Sequence, residues 1–356
     1  MDPNGALSNK KNTIELLHKM KNIQFLVLIT ALIVISGCGG EKQVDNQTPE
    51  KQTSSEKEKP KVTIPEFNAD SAYYFVKKQV DFGPRVPGSE AHSQCANWLR
   101  DKLSTYADSV IVQNFSAKVH TGKHMPGKNI IGIFNPEKQK RILLCAHWDS
   151  RPYADQEKDV SLHNTPIDGA NDGASGVGVL LEMARLMHNE RPNLGIDIIF
   201  FDLEDYGEPQ GEQSPGSNNF WALGSQYWSR NPHIFNYSAI YGILLDMVGV
   251  KNATFPYEGF SEYYAPNILN KVWRKGQELG YGKYFVNSRA GRIIDDHLYI
   301  NQITGIPTID IIALDRRGNS QFFEHWHTLE DNMDNISQKT LKVVGKTVMH
   351  VIYLES

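Results

Sequence analysis

The chain has 356 residues, 40% of them hydrophobic, an ordinary composition for a globular protein with room for one large core. A net charge of only −4 excludes a general attraction to nucleic acid or to acidic lipid. Three cysteines exclude a disulfide framework.

Read in chain order, the first pattern is a basic start, Met20-Lys21, followed by an apolar run over residues 23–35, the small residues Ser36 and Gly37, and then Cys38. This is the layout of an export signal, and the run is shorter than the ~20 residues that comfortably span a bilayer as a helix. Ending in Ser-Gly-Cys, it resembles a bacterial lipoprotein signal. That resemblance implies cleavage before Cys38 and acylation of its sulfur, with a plain transmembrane anchor or an ordinary signal peptide as alternatives. Residues before Met20 carry no pattern and fit an unused upstream start. Residues 39–62 have scarcely an apolar side chain, so they cannot bury enough surface to offset chain entropy. The expected organisation is residues 1–37 as extension and signal peptide, 38–62 as lipidated cysteine and disordered tether, and 63–356 as one catalytic domain. The protein would be exported and membrane-anchored, periplasmic or at the cell surface. Export permits a Cys95–Cys145 bridge, although a helical position for Cys95 and a core-strand position for Cys145 favour two buried free thiols.

Within the domain, apolar spacing predicts helices over 68–80 and 90–105, with a Gly- and Pro-punctuated loop at 82–89 between them. Residues 109–119 alternate like a half-exposed strand and 129–134 follow as another. Residues 141–146 are nearly all apolar, as in a strand covered on both faces. A helix over 175–188 begins at Gly173 and Ser175, and buried strands follow at 196–201, 241–245 and 307–312. Helices are predicted at 219–229, 266–279, 295–301 and 337–354. Strands alternating with helices predict a single three-layer α/β domain with a central mixed, mostly parallel β-sheet, the two early strands forming an antiparallel hairpin at one side.

Five short segments carry the chemistry: Cys145-Ala-His-Trp-Asp149, Asp168-Gly-Ala-Asn-Asp172, Phe201-Asp-Leu-Glu-Asp205, Leu245-Asp246-Met-Val-Gly249 and His325-Trp-His327-Thr. Each puts a His, Asp or Glu at or just beyond the end of an apolar run, where an open α/β sheet carries its ligands. Imidazole and carboxylate arriving together suit Zn²⁺. Asp172, in a glycine-rich loop opening a helix, could equally be a helix N-cap. Glu204 and Asp205 are adjacent acids that repel each other; a metal holding Asp205 would leave Glu204 free as acid/base. Asp172, Asp205 and His327 would make a catalytic zinc site with one open position. His147 and Asp246 would either complete a two-metal site bridged by Asp172 or stand behind the first ligands in a hydrogen-bond network, with Asp149 orienting the imidazole of His147. Asp295 and Asp296, before His297, bring two further acids to the same edge.

The order His-x-Asp, Gly-x-x-Asp-x-x-Ser-Gly, paired acids, Leu-Asp-x-x-Gly and a late His resembles the zinc aminopeptidase family M28 over residues 68–356. Within that fold the chain is similar to the animal-type, zinc-dependent glutaminyl-peptide cyclotransferases, on the strength of Thr254-Phe255-Pro256, Ile294-Asp295-Asp296-His297 and Phe322-Phe323-Glu324-His325-Trp326-His327-Thr328. Ordinary peptidases of this fold usually carry Ser-Asp-His where this chain has Asp295-Asp296-His297, and generally lack the Trp before the late His. The resemblance implies one zinc on Asp172, Asp205 and His327, Glu204 as catalytic acid/base, and Asp246 and Asp295 as a carboxylate pair sharing a proton. Trp326 and Phe322 would wall the substrate pocket, with Trp148 and Trp221 as further candidates for aromatic lining and Trp228 expected in the core. The substrate would be a peptide or protein with N-terminal Gln, closed to pyroglutamate with release of ammonia. Two departures stand out: the family's second acid is typically Glu and here is Asp205, and residues 206–217 do not match the animal enzymes closely. The alternatives are a two-metal M28 aminopeptidase, with Glu204 as general base, and a non-enzymatic binding module. The second conflicts with the presence of all five ligand-type residues.

Overall fold

The computed structural model describes residues 62–212, 220–315 and 322–355. Cys38, the signal-like run and the tether up to residue 61 lie outside the described residues. The first helix, α1 (Ala69–Val80), is capped by the Asn68 side chain, which accepts from the Ser71 amide; α2 (Glu90–Ser104) is capped in the same way by Ser89. The hairpin follows, β1 (Ser109–Lys118) pairing antiparallel with β2 (His124–Phe134). β2 starts five residues earlier than the apolar run because its first residues, His124 to Lys128, pair with β1 but carry no hydrophobic signature.

The sheet core is β3 (Arg141–His147), β4 (Gly195–Phe201), β5 (Tyr241–Asp246) and β8 (Thr308–Ile312), all buried along their whole length. The order is β1-β2-β4-β3-β5-β8, antiparallel through β2–β4 and parallel from β4 to β8, so the sheet is mixed and mostly parallel. Alternation along the strands feeds two cores. Ile142, Leu144 and Ala146 of β3, with Ile196 and Ile198 of β4, face α1, α3 (Ala174–Asn189) and the closing helix α8 (Gln338–Glu355). Leu143 and Cys145, with Ile199 and Phe201, face a smaller core containing Trp228 of α4 (Leu223–Arg230) and Ile300 of α7 (Asp296–Thr304). Cys95 and Cys145 are both free and buried, one in each core.

Two opposite charges face each other inside the buried strands. Asp197 of β4 meets Arg141 of β3 at 2.7 Å and accepts from the Tyr237 hydroxyl at 2.8 Å, so its charge is paired rather than merely enclosed. A small parallel pair, β6 (Phe255–Tyr257) and β7 (Phe285–Arg289), with the short helix α5 (Gly259–Tyr264) and α6 (Pro266–Glu278), covers the β8 edge. The sequence reading missed β6, β7 and α5, whose few residues are too short to show a period.

Candidate active site

From β3 the chain runs outward to β4 on one side and to β5 and β8 on the other, so the switch in direction opens a crevice at the carboxyl ends of these strands. His147 is the last residue of β3 and Asp246 the last of β5, while β4 runs directly into Asp202–Asp205. Asp172 arrives from the loop before α3. It is not the N-cap: that position is Gly173, at φ +95°, which leaves the Asp172 side chain free for the crevice. A Cβ on Gly173 would come within 2.6 Å of the Asp149 carbonyl and 3.0 Å of the His147 ring, so only glycine fits.

The structure brings Asp172, Asp205 and His327 together, with one donor atom from each inside 4.8 Å of the others. His327 Nε2 lies 3.3 Å from Asp205 Oδ1 and 3.6 Å from Asp172 Oδ2. His327 takes a left-handed backbone at φ +55°, a strained choice for a non-glycine residue and one met at functional sites. Asp205 Oδ2 is buried with no hydrogen-bond partner, a costly arrangement that a bound cation would relieve. One imidazole and two carboxylates therefore fit a zinc ion with an open position. A second cluster shares Asp172: His147 Nε2 lies 3.0 Å from Asp172 Oδ1 and 3.3 Å from Asp246 Oδ1. Burial opposes charge on His147, but Asp149, Asp172 and Asp246 around it push its pKa well above the ordinary histidine value.

Three carboxylates hold the cluster from behind, of which only Asp149 was given a role from the sequence. Asp149, expected to orient His147, does approach its Nδ1 at 3.5 Å. Its two oxygens also accept the backbone amides of Glu204 at 3.1 Å and Asp205 at 3.2 Å. Asp331 accepts the amides of Asn171 at 2.7 Å and Asp172 at 3.0 Å. Asp155 lies 3.2 Å from His327 Nδ1 and is gripped by the buried Arg151 at 3.0 and 2.6 Å. Arg151 also reaches Asp205 Oδ1 at 3.2 Å and lies over the Trp221 ring, 4.7 Å from its centroid. Burial would raise Asp155, yet His327 and Arg151 hold it below the usual carboxylate range. None of these residues sits in a periodic segment, so the available signal was only an acid near each motif.

A pocket of about 330 Å³ opens over the cluster. Glu204, Asp246 and Asp295 line it beside the three ligand-type residues, and Trp326, Phe322 and Trp221 form its aromatic wall. Trp326 stacks on Phe322 at 4.1 Å and on His327 at 3.7 Å. Trp148 lies outside this wall, fully buried and stacked on His92, and Trp228 is core. Burial, then repulsion from Asp295 and Asp205, pushes Glu204 well above the usual carboxylate range; His147 opposes this. Burial and the charge of Asp295 push Asp246 up to about 7 against the His147 hydrogen bond. Asp246 bonds to His147, while Asp295 Oδ1 accepts the Asp296 amide and its Oδ2 is buried without a partner. The two acids thus meet electrostatically in the pocket. A further carboxylate beside Asp295 is Asp310 of β8, one of whose oxygens lies within 4.8 Å of an Asp295 oxygen.

The profile of peptidase family M28 matches residues 129–352. The glutaminyl-peptide cyclotransferase of Bos taurus is 27% identical over 305 residues, covering 76% of this chain and 78% of that protein. Among solved structures, a Bacteroides thetaiotaomicron glutaminyl cyclase bound to N-acetylhistamine is 53% identical at TM-score 0.81, covering 83% of this chain and 100% of that one. A Zn-dependent exopeptidase from Parabacteroides distasonis is 51% identical at TM-score 0.80, covering 82% and 99%.

Proposed function

The chain is a member of peptidase family M28, and from that premise we propose that it is a glutaminyl-peptide cyclotransferase, closing the N-terminal Gln of peptides or proteins to pyroglutamate with release of ammonia. The observation that carries the reading is the convergence of Asp172, Asp205 and His327 beside a buried Glu204 under an aromatic wall. The similarity to glutaminyl cyclases over most of the chain supports it. A zinc ion held by those three residues would act as a Lewis acid on the side-chain carbonyl of the substrate Gln. The α-nitrogen attacks the side-chain carbonyl carbon, and the bond from that carbon to the amide nitrogen breaks. Glu204 takes a proton from the attacking nitrogen and delivers it to the leaving one, a task suited to a carboxyl raised toward neutrality. Asp246 and Asp295 face the same nitrogens. Trp326 and Phe322 fold the Gln side chain against one wall, which favours ring closure by limiting the conformations to be searched. No water is needed as nucleophile, so one cation suffices.

A two-metal aminopeptidase is the second reading, and the His147–Asp172–Asp246 cluster is the observation that favours it. Glu204 would then be general base toward water. Purified domain should release ammonia and pyroglutamyl product from Gln-initiated peptides, lose this activity to chelator, and carry one zinc. Cleavage of a Leu-arylamide with two metals bound and no pyroglutamate formed would replace the cyclase with the peptidase. The reading extends to location: acylation of Cys38 would tether the domain to a membrane outside the cytoplasm. Among the described residues no helix is long and apolar enough to cross a membrane.

A further inference from the structure

Next to the pocket-lining segment Ile293–Asp295 lies a second group of buried polar atoms. Glu258, at the N-cap of α5, is fully buried and accepts five hydrogen bonds. Oε1 takes the amides of Phe260 at 2.8 Å and Ile293 at 2.9 Å. Oε2 takes the Ser261 amide at 2.6 Å, the Ser261 hydroxyl at 2.8 Å and His297 Nε2 at 3.0 Å. Ile293 lies two residues before Asp295 and His297 two residues after it. The Ser261 hydroxyl oxygen in turn accepts the amide of Asp310, the acid beside Asp295.

We propose that Glu258 is a positioning residue for the proposed cyclisation: by gripping the chain on both sides of Asp295, it fixes where that carboxylate points into the pocket. The inference rests on the functional reading only for Asp295's role in turnover; the grip itself is geometric. Asp295 Oδ1 bonds to the next amide, and the Asp310 carboxylate, itself linked to Glu258 through Ser261, lies beside it. Without Glu258, the segment from Ile293 to His297 would lose two hydrogen bonds that anchor it to the start of α5, and the pocket wall formed by Ile293 and Ile294 would move with it. Burial opposes charge on His297, and the Glu258 carboxylate, with Asp295 and Asp246, raises its pKa against that penalty.

Glu258→Gln keeps the shape but turns an acceptor into an NH₂ group facing N–H donors, so one side of the grip must let go. In that variant the crystal structure should show Asp295 displaced from its wild-type position. kcat for a Gln-initiated peptide should fall ~10- to 100-fold with KM changed less than ~3-fold, since a misplaced reacting group costs rate rather than binding. Zinc content should equal that of wild type. Asp295 unmoved in the crystal, or kcat unchanged in the folded variant, overturns the proposal. So does loss of a metal equivalent, because Asp295, His297 and Asp310 would then be holding a cation. Should Glu258→Gln fail to fold, Ser261→Ala removes the hydroxyl linking Glu258 to Asp310; it should lower kcat ~3- to 10-fold with KM held, and an unchanged kcat overturns the proposal. Failure of the cyclase reading shows separately, as wild-type protein forming no pyroglutamate, and leaves the crystallographic outcome to decide the positioning role.

Discussion

Asp149→Asn tests whether the site is built by supports behind the ligands rather than by the ligands alone. Asp149 is fully buried, and each of its oxygens accepts one backbone amide, Glu204 at 3.1 Å and Asp205 at 3.2 Å. Asparagine keeps one acceptor and turns an NH₂ toward the other amide. A hydrogen bond to a charged group contributes ~1.5–3 kcal/mol, and an orphaned buried amide costs ~1–3 kcal/mol. The two overlap, so the net loss should be about 2–4 kcal/mol. At roughly 2 °C per kcal/mol for a domain of this size, the metal-free protein should melt ~4–8 °C lower. The turn that moves carries both the proposed acid/base and a proposed ligand, so zinc affinity should fall ~10- to 100-fold, as for other partners behind metal ligands. Melting with chelator present gives the first quantity, and competition against a fluorescent zinc chelator gives the second. A variant that melts within ~1 °C of wild type and binds zinc within ~2-fold would show that Asp149 supports nothing, and the reasoning would be wrong.

Glu204→Gln should lower turnover by ~10²- to 10⁴-fold while zinc content stays that of wild type; activity near wild type would remove Glu204 from the acid/base role. Asp246 gives a pH dependence whose sign is fixed. Burial raises its pKa from 3.8 to about 7, so the folded state binds that proton more tightly than the unfolded chain. The stability it contributes is fully present below 3.8 and is lost as pH rises through about 7. Metal-free Asp246→Asn should therefore melt with a flatter pH dependence over that window than metal-free wild type, and parallel curves would refute the assignment. Cys38→Ala should abolish lipid attachment and move the protein out of the membrane fraction when the full chain is expressed; an unchanged acylated mass would place the modification elsewhere.

The sequence carried the sheet because the central strands are apolar on both faces, and the long helices because their apolar stripes are periodic. It carried the order of the five motifs because each sits at a strand end. It did not carry Arg151, Asp155 or Asp331, which act through contacts far away in the chain, as when Arg151 meets Asp205, Asp155 meets His327 and Asp331 meets the amide of Asp172. It also did not carry the second acid beside Asp295. A carboxylate pair with Asp246 follows from the resemblance, but Asp310 sits on β8 in a run of β-branched residues and gives no sign that its side chain turns toward Asp295. Asp172 shows a different limit: as an acid before a helix it fits an N-cap as well as a ligand, and Gly173, at positive φ in the cap position, shows why it is not the cap.

The supports follow a common logic. Each of the three proposed ligands has a buried carboxylate of its own: Asp331 at the Asp172 amide, Asp149 at the Asp205 amide, and Asp155 at the His327 ring. Two of the three hold backbone rather than side chain, so the ligand carboxylates stay free to meet a cation. Arg151 ties the third support to Asp205, placing one fixed positive charge where Asp205, a methylene shorter than the family's usual Glu, would otherwise have slack. The pocket wall comes from different segments, Trp326 and Phe322 on one side and Ile293 and Ile294 on the other. Changes in that wall can therefore alter which peptides enter without disturbing the three supports. By the same separation, Glu258 governs the wall and Asp295 while leaving the cation cluster alone. A substitution at Glu258 should thus lower turnover with zinc affinity unchanged, whereas one at Asp149 should lower zinc affinity, and their effects on metal-free stability should combine additively if the two halves of the site are physically independent.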